Sequence, residues 1–487
     1  MRIRTVGLLS GLAMILTSLT VWSVTPRGGF EGSLRAEAQI HGVPSVEVET
    51  WKFDDGGTVR LEGRLGHAKV AAGQRQESFI MLRAHAPTGA VAQTEAPLDI
   101  AIVIDRSGSM AGQRMQNAKD AAKGMVSQLR DGDTVSVITY DTATDVLVSP
   151  TPVNAANRTS VLSAIDGITP GGDTCISCAI DAGMAALDGR NGGVKRILLL
   201  SDGQATAGVR DVAGFSRLAE RARDMGCSIS SIGVDVDYNE QIMSALAIGS
   251  NGRHYFVENA SGLAAVFEQE HRSLTQTVAT RGEVRVKLAP GIRVLQVFGR
   301  VFRQQGDTLV VPMGAFSMGE EKTLLVKVDL PRQAKGLEEV AEVSFAFDDR
   351  VTGQQGGCTG SLMAKVTDDL AEVSTLDPVV AGRLSRAETA ETLRAANRLF
   401  QEGEAAAARR RLQSLRQQIK KRRTTWKRGP RPTPGRVLDD LDEQAKAAEQ
   451  AEDGFATPPA ASPGAPAPRK SRAQVRSNAQ AADAFSL

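Results

Sequence analysis

The chain has 487 residues, 41% of them hydrophobic and 23% charged, with a formal net charge of +2. That length exceeds one compact core and calls for about two or three domains. The near-neutral balance gives no reason to expect nucleic acid as a partner, and aromatics at 4% are too scarce for a base-stacking or carbohydrate-binding surface.

The first element is an apolar run, Val6 to Val24, preceded by Arg2 and Arg4 and free of charge. A positive end ahead of an apolar stretch reads as an export signal. The run is long for a cleaved signal and barely long enough to span a bilayer. Ala36-Glu37-Ala38 has the small-x-small form of a cleavage site, far downstream. Residues 1–38 are therefore expected to be a signal peptide or signal anchor with a linker. The rest of the chain is then exported, periplasmic or extracellular, and is either released or held at the inner membrane by an uncleaved segment. The cysteines are Cys175, Cys178, Cys227 and Cys358; in an oxidising compartment they allow two disulfides in three pairings.

Residues 44–90 contain β-type runs such as "TVRLEGRL" and "ESFIMLRAHA", separated by turn signals. From Leu98 the pattern changes. Short, mainly apolar strands ("LDIAIVID", "DTVSVITY", "VKRILLLSD", "CSISSIGVD", "RHYFVE") alternate with amphipathic helices. Strands buried on both faces and separated by helices predict a doubly wound, largely parallel α/β sheet over 96–276. Over 280–368 the helices stop and strands with polar alternation and Gly/Pro turns follow, which reads as a β-sandwich. The early strands are too few to bury a core alone, so they are expected to join this later segment, with the α/β domain inserted between. Residues 378–425 read as a basic helical hairpin, with Leu393, Ala396 and Phe400 on one stripe, Leu412, Leu415 and Ile419 on the other, and Gly403 between. Its second half is basic from Arg409 through Arg436 without an acidic residue. That run reads first as a solvated helix face, with anionic lipid, nucleic acid or an acidic partner as the alternative contact. The Pro/Ala/Ser-rich composition of 426–487 predicts a mostly disordered tail.

The chemistry gathers at the ends of two predicted strands. "LDIAIVIDRSGSMAG" stops an apolar strand on Asp105 and sets Ser107 and Ser109 at alternate positions beyond it. Asp202 ends "LLLSD", and Thr174 lies in the Gly-rich "TPGGDTCIS". Sites of doubly wound sheets form at carboxyl strand ends, and a set of carboxylate and hydroxyl oxygens suits a hard cation rather than zinc. The ordered combination of D-x-S-x-S, G-G-x-T and S-D-G resembles the von Willebrand factor type A family and its metal-ion-dependent adhesion site. The resemblance covers about Leu98 to Leu274. It extends to bacterial exported members labelled as calcium-activated chloride channel-like, which also carry flanking β segments.

The resemblance implies Ser107 and Ser109 as direct metal ligands, Thr174 as a direct ligand in the ligand-bound state, and Asp105 and Asp202 acting mainly through water. The expected ion is Mg2+, with Mn2+ or Ca2+ as alternatives. With few direct carboxylates, the ion keeps its charge and an open position for a Glu or Asp of a partner protein. Asp173, Cys175 and Cys178 depart from the family pattern beside Thr174, and a structural local bridge, two free thiols or a redox-active pair are all open there.

Other readings are weaker. Asp105 and Ser109 could simply cap a helix starting near Met110. "DVDYNE" lacks the EF-hand glycine and reads as a capping box with Asp237 at the N-cap and Glu240 at N3. No histidine lies near the motifs and no nucleophile–base pair can be named, so an enzyme is not expected. One apolar segment does not make a pore. The expected function is a cation-dependent protein-binding protein in adhesion or assembly. The alternatives are an envelope scaffold with a vestigial site and, further off, a metal-dependent hydrolase.

Overall fold

The computed structural model describes residues 50–53, 57–90, 96–190, 192–234, 238–257, 259–428, 433–456 and 469–486. The export segment and its small-x-small site lie outside the described residues. Among the described residues no helix is long and apolar enough to cross a membrane.

The early β runs form β1 (Trp51–Phe53), β2 (Arg60–Leu65), β3 (Lys69–Ala71) and β4 (Gln76–His85). The α/β part follows as β5 (Leu98–Asp105), α1 (Gln113–Gln128), β6 (Thr134–Tyr140), β7 (Thr144–Pro152), α2 (Ala155–Asp166), α3 (Ile176–Leu187), β8 (Val194–Ser201), α4 (Val212–Asp224), β9 (Cys227–Val234), α5 (Glu240–Gly249), β10 (His254–Val257) and α6 (Ala260–Thr275). Its sheet runs β10-β9-β8-β5-β6-β7, parallel except for β7. Every residue of β5 and β6 is buried. Leu98, Ile100, Ile102 and Ile104 pack with apolar residues of α1, α2 and α6, while Ala101 and Val103 pack with those of α3, α4 and α5. Two covered faces explain why these strands read as largely apolar runs. The exposed edge strand β7 is half polar, and no apolar run announced it.

Beyond the α/β part come β11 (Thr277–Leu288), β12 (Arg293–Phe298), β13 (Arg303–Gln305), β14 (Thr308–Ser317), β15 (Glu321–Leu330), β16 (Gly336–Asp349) and β17 (Gln355–Thr367). They form two sheets with the early strands, β1-β2-β4-β15-β12 and β13-β14-β11-β16-β17-β3. The splice is extensive: β4 and β15 are antiparallel from Gln76↔Leu330 to His85↔Glu321. Residues of both sheets, among them Ile80, Leu82, Val284, Val326, Val343 and Phe345, share one core. The α/β domain is thus inserted in a β-sandwich.

Among the described residues four helices follow: α7 (Pro378–Gln401), α8 (Ala405–Arg428), α9 (Gly435–Gly454) and α10 (Arg469–Ala484). Asp377 caps α7, accepting from the Val379 and Val380 amides, with proline in the first turn. The hairpin turn uses Gly403 at φ +89°, open to glycine without strain. Order extends further than the tail's composition predicts. Phe455 at the end of α9 stacks on Phe400 with centroids 4.1 Å apart, and Val475 and Ala482 of α10 join the same cluster. Apolar residues at helical spacing within a polar background outweigh the local composition. The most proline-rich stretch, 457–468, lies outside the described residues. The basic run is not simply solvated: Arg416 pairs with Glu449 and Glu452 of α9, Arg422 with Glu388 of α7, and Arg423 with Asp442 of α9.

Candidate metal centre

Strands β5 and β8 are neighbours from which the chain winds to opposite edges of the sheet, so their carboxyl ends flank the topological switch point. Asp105 closes β5 and Asp202 follows β8; both are fully buried. The Asp105 carboxylate is held by neutral donors. One oxygen accepts from the Ser107 amide at 2.8 Å and the other from Ser201 Oγ at 2.8 Å. Ser107 Oγ lies 3.1 Å from Ser109 Oγ, which donates to Asp202 Oδ1 at 2.7 Å. Thr174 is buried across the same corner: a methyl group built on Gly203 would sit 3.5 Å from Thr174 Oγ1 and 3.8 Å from Ser109 Oγ. All five expected residues are therefore brought to one place.

The loops are tied to each other as well as to the strands. Gly108 N–H donates to the Gly172 carbonyl at 3.2 Å and Gly171 N–H to the Arg106 carbonyl at 2.6 Å. Gly172 adopts φ +75°, and a Cβ there would fall 2.8 Å from Asp141 Cβ, so this approach requires glycine. Arg106 pairs with Asp141 at 3.1 Å, and the Asp141 carbonyl accepts from the Cys175 amide at 2.8 Å. Below the site Tyr140 is buried and donates to the Leu200 carbonyl at 3.0 Å; burial raises its phenol well above the ordinary range.

Both site carboxyls are held against the cost of burial. Burial pushes the Asp105 carboxyl up to about 6, against the pull of its hydrogen bonds, and Asp202 is likewise raised by burial. Two buried carboxyls with the Ser107, Ser109 and Thr174 hydroxyls beside them form an oxygen-only donor set, which fits Mg2+, Mn2+ or Ca2+. Among the described residues no group of three or more His, Cys, Asp or Glu could hold a metal, so any ion at this corner must rely on the hydroxyls.

Arg114, which sequence reasoning missed, donates to Asp202 Oδ2 at 3.0 Å and to the Ser109 carbonyl at 2.9 Å. A basic residue in the first turn of α1 opposes the helix dipole, and that mismatch was the available signal. Ser201 was also missed, although it precedes Asp202 in the strand-terminal S-D pair. The helix-cap reading of Asp105 and Ser109 does not hold: a 3-10 turn covers Gly108–Met110, and α1 starts later behind Gly112 without a side-chain cap. The capping box at α5 also needs correction. Asp237 lies outside the described residues, and the observed cap is Asn239, which accepts from the Ile242 amide. The helix begins at Glu240, so Glu240 stands one position past the cap rather than three. Asp173 is exposed, with its amide donating to Thr142 Oγ1 at 3.0 Å. Cys175 and Cys178 form a disulfide at the start of α3, while Cys227 and Cys358 are buried outside any disulfide.

Residues 99–269 match the family model described as von Willebrand factor type A domain. The chain is 26% identical over 269 residues to the uncharacterized protein sll0103 of Synechocystis sp., covering 53% of this chain and 63% of that one. It is 26% identical over 253 residues to the uncharacterized protein YfbK of Escherichia coli, covering 50% and 43%. The chain thus spans about half the length of these curated relatives. Among solved structures, a von Willebrand factor type A protein from Catenulispora acidiphila shares the fold over 87% of this chain and 97% of its own, with TM-score 0.66 and 17% identity. Residues 99–269 of this chain form a von Willebrand factor type A domain, inserted in a β-sandwich and followed by C-terminal helices.

Proposed function

We propose that this is an exported binding protein whose type A domain holds a divalent cation and uses it to capture a Glu or Asp side chain of a partner protein. One observation carries the reading: Asp105, Ser107, Ser109, Thr174 and Asp202 come from three separated segments and converge on one corner at the sheet's switch point. Ser107, Ser109 and Thr174 would hold the ion through hydroxyls, with Asp105 and Asp202 behind them. When bound, the ion supplies a Lewis-acidic position for an acidic oxygen. Hydroxyls leave its charge largely unquenched, so a partner carboxylate is a strong ligand. Asp105 is oriented by Ser201 and the Ser107 amide, and Asp202 by Ser109 and Arg114, so the corner is rigid before anything binds.

Binding rather than catalysis is supported by the placement of the histidines. His254 Nδ1 lies 2.9 Å from Ser231 Oγ and Nε2 lies 3.1 Å from Tyr238 OH, on the edge strand β10, two strands from β8. The Cys175–Cys178 bridge supports an oxidising compartment. A cation-independent scaffold is favoured by a single contact, the Arg114–Asp202 pair, which already brings a positive charge to the site.

Thermal unfolding of the full chain in chelator, then in Mg2+, Mn2+ or Ca2+, separates the two readings. An ion at about a hundred times its Kd stabilises the native state by roughly 2.7 kcal/mol. A shift seen in the parent and lost in Thr174→Ala supports the cation reading. No shift with any of the three ions favours the scaffold.

A further inference from the structure

Thr174 lies ahead of α3 and is held by the 206–209 turn rather than by a strand end. Its carbonyl accepts from the Thr206 and Ala207 amides at 3.0 and 3.2 Å, and its own amide donates to Thr206 Oγ1 at 2.9 Å. The next residue, Cys175, is the N-cap of α3 and is bridged to Cys178 one turn in. The same turn lies on this bridge. Val209 N–H donates to Ser177 Oγ at 3.0 Å. A Cβ at Gly208, which has φ +69°, would fall 2.3 Å from Ser177 Oγ, 2.7 Å from Cys175 Sγ and 3.7 Å from Cys178 Sγ. The 206–209 turn is thus pinned on one side to Thr174 by backbone hydrogen bonds. On its other side it rests on the sulfurs at a distance that only glycine allows.

We infer that Cys175–Cys178 is a thiol–disulfide exchange site that positions Thr174, so that opening the bridge loosens the Thr174 corner of the metal centre. Cys175 is buried and Cys178 half-buried, so exchange enters at Cys178. A thiolate of a dithiol reductant attacks Cys178 Sγ, forming a mixed disulfide. The Cys175–Cys178 bond breaks, and its electron pair leaves on Cys175 Sγ, which takes a proton from water. The second thiol of the reductant then displaces Cys178 as thiolate, and the reductant departs as its own disulfide, having given up two electrons. Bonded sulfurs sit closer than non-bonded ones can, so reduction drives a sulfur outward. With glycine already at 208 the turn cannot yield by trimming a side chain, and the hydrogen bonds to Thr174 must give. Cys175 and Cys178 are positioning residues for this corner.

The test uses the full chain, oxidised or treated with dithiothreitol under native conditions, with three readouts: titratable thiols, hydrogen exchange at the Thr206, Ala207 and Val209 amides, and Mn2+ affinity. The metal readout rests on the function proposed above; the thiol and amide readouts do not. Reduction should add two thiols per chain and speed exchange at those amides by about tenfold or more. It should also weaken Mn2+ binding by about threefold or more, with recovery on reoxidation. The double variant Cys175→Ser with Cys178→Ser should match the reduced chain and ignore the dithiol; if it fails to fold, the parent's own redox cycle still decides. A bridge that resists the dithiol, or one that opens while the three amides exchange as before, overturns the inference. If the oxidised chain binds no Mn2+, the metal reading fails and the amide readout alone decides the coupling.

Discussion

Asp105→Asn should make the cation-free protein more stable while abolishing its response to divalent ions. The Asp105 carboxyl ordinarily titrates near 3.8 and is pushed up to about 6, chiefly by burial. A carboxyl raised in the folded state binds its proton more tightly there than in the unfolded chain. Stability therefore falls as pH rises from about 4 through about 6, and the full cost is present above that. At about 1.4 kcal/mol per pH unit, the ionised carboxylate costs on the order of 3 kcal/mol at pH 8. Asparagine removes the charge and can still accept from the Ser107 amide. Ser201 Oγ, which donates to the carboxylate, must turn its hydroxyl to accept instead, which offsets part of the gain. A net stabilisation of about 1–3 kcal/mol in chelator at pH 8 is expected, shrinking towards zero near pH 4. Because a multidomain chain does not unfold in one step, the assay is native-state hydrogen exchange of the β5 and β8 amides, parent against variant, at several pH values. A variant less stable than the parent at pH 8, or a difference independent of pH, would refute the claim that this carboxylate is held at a cost.

His254 gives a second pH dependence of opposite sign. Burial lowers its imidazole from 6.5 to about 4, so stability is complete above pH 6.5 and declines as pH falls towards 4. The loss is bounded at about 3 kcal/mol; exchange of the β10 amides in His254→Gln should lack this acid limb. Gly252→Ala should cost about 1–3 kcal/mol in native-state hydrogen exchange of the β9 and β10 amides, because its Cβ would fall 2.0 Å from the Ile229 carbonyl oxygen and neither backbone can retreat; a neutral result would mean the α5–β10 turn gives way without cost. Arg476 of α10 lies 4.3 Å over the Tyr238 ring and 3.7 Å from Glu240 Oε2, and donates to the Tyr238 carbonyl. Arg476→Ala should weaken docking of α10 by about 2 kcal/mol, read as faster limited proteolysis within 469–484, and an unchanged rate would contradict that contact.

The α/β domain was legible because burial on both faces leaves β5, β6 and β8 dominated by apolar residues, with only a few buried polar ones such as Asp99, Ser136 and Arg196, and because the chemistry sits where those runs stop on Asp105 and Asp202. Thr174 was legible only through its motif, since nothing in local propensity marks a threonine in a Gly-rich loop as a site residue. The sandwich could be inferred from too few strands before Leu98, but not the long β4–β15 register, which depends on pairing across the whole inserted domain. Hidden from the sequence were contacts between distant segments: Arg114 on Asp202, Arg423 on Asp442, and Arg476 on Tyr238. The basic run of α8 looked solvated because its partners lie on other helices. Order in α9 and α10 was obscured because a few apolar residues, such as Phe455 and Val475, outweigh the alanine and polar residues around them.

The central claim is that a cation held by hydroxyls keeps a position open for a carboxylate. Water-proton relaxation of the full chain loaded with Mn2+ tests it directly, because waters on the open positions enhance relaxation and a captured carboxylate displaces them. The account predicts enhancement in the parent, loss of enhancement in Ser107→Ala with Ser109→Ala, and a decrease when a glutamate-bearing peptide is added but not its glutamine counterpart. Mn2+ that fails to bind, or that binds and responds equally to both peptides, would contradict it.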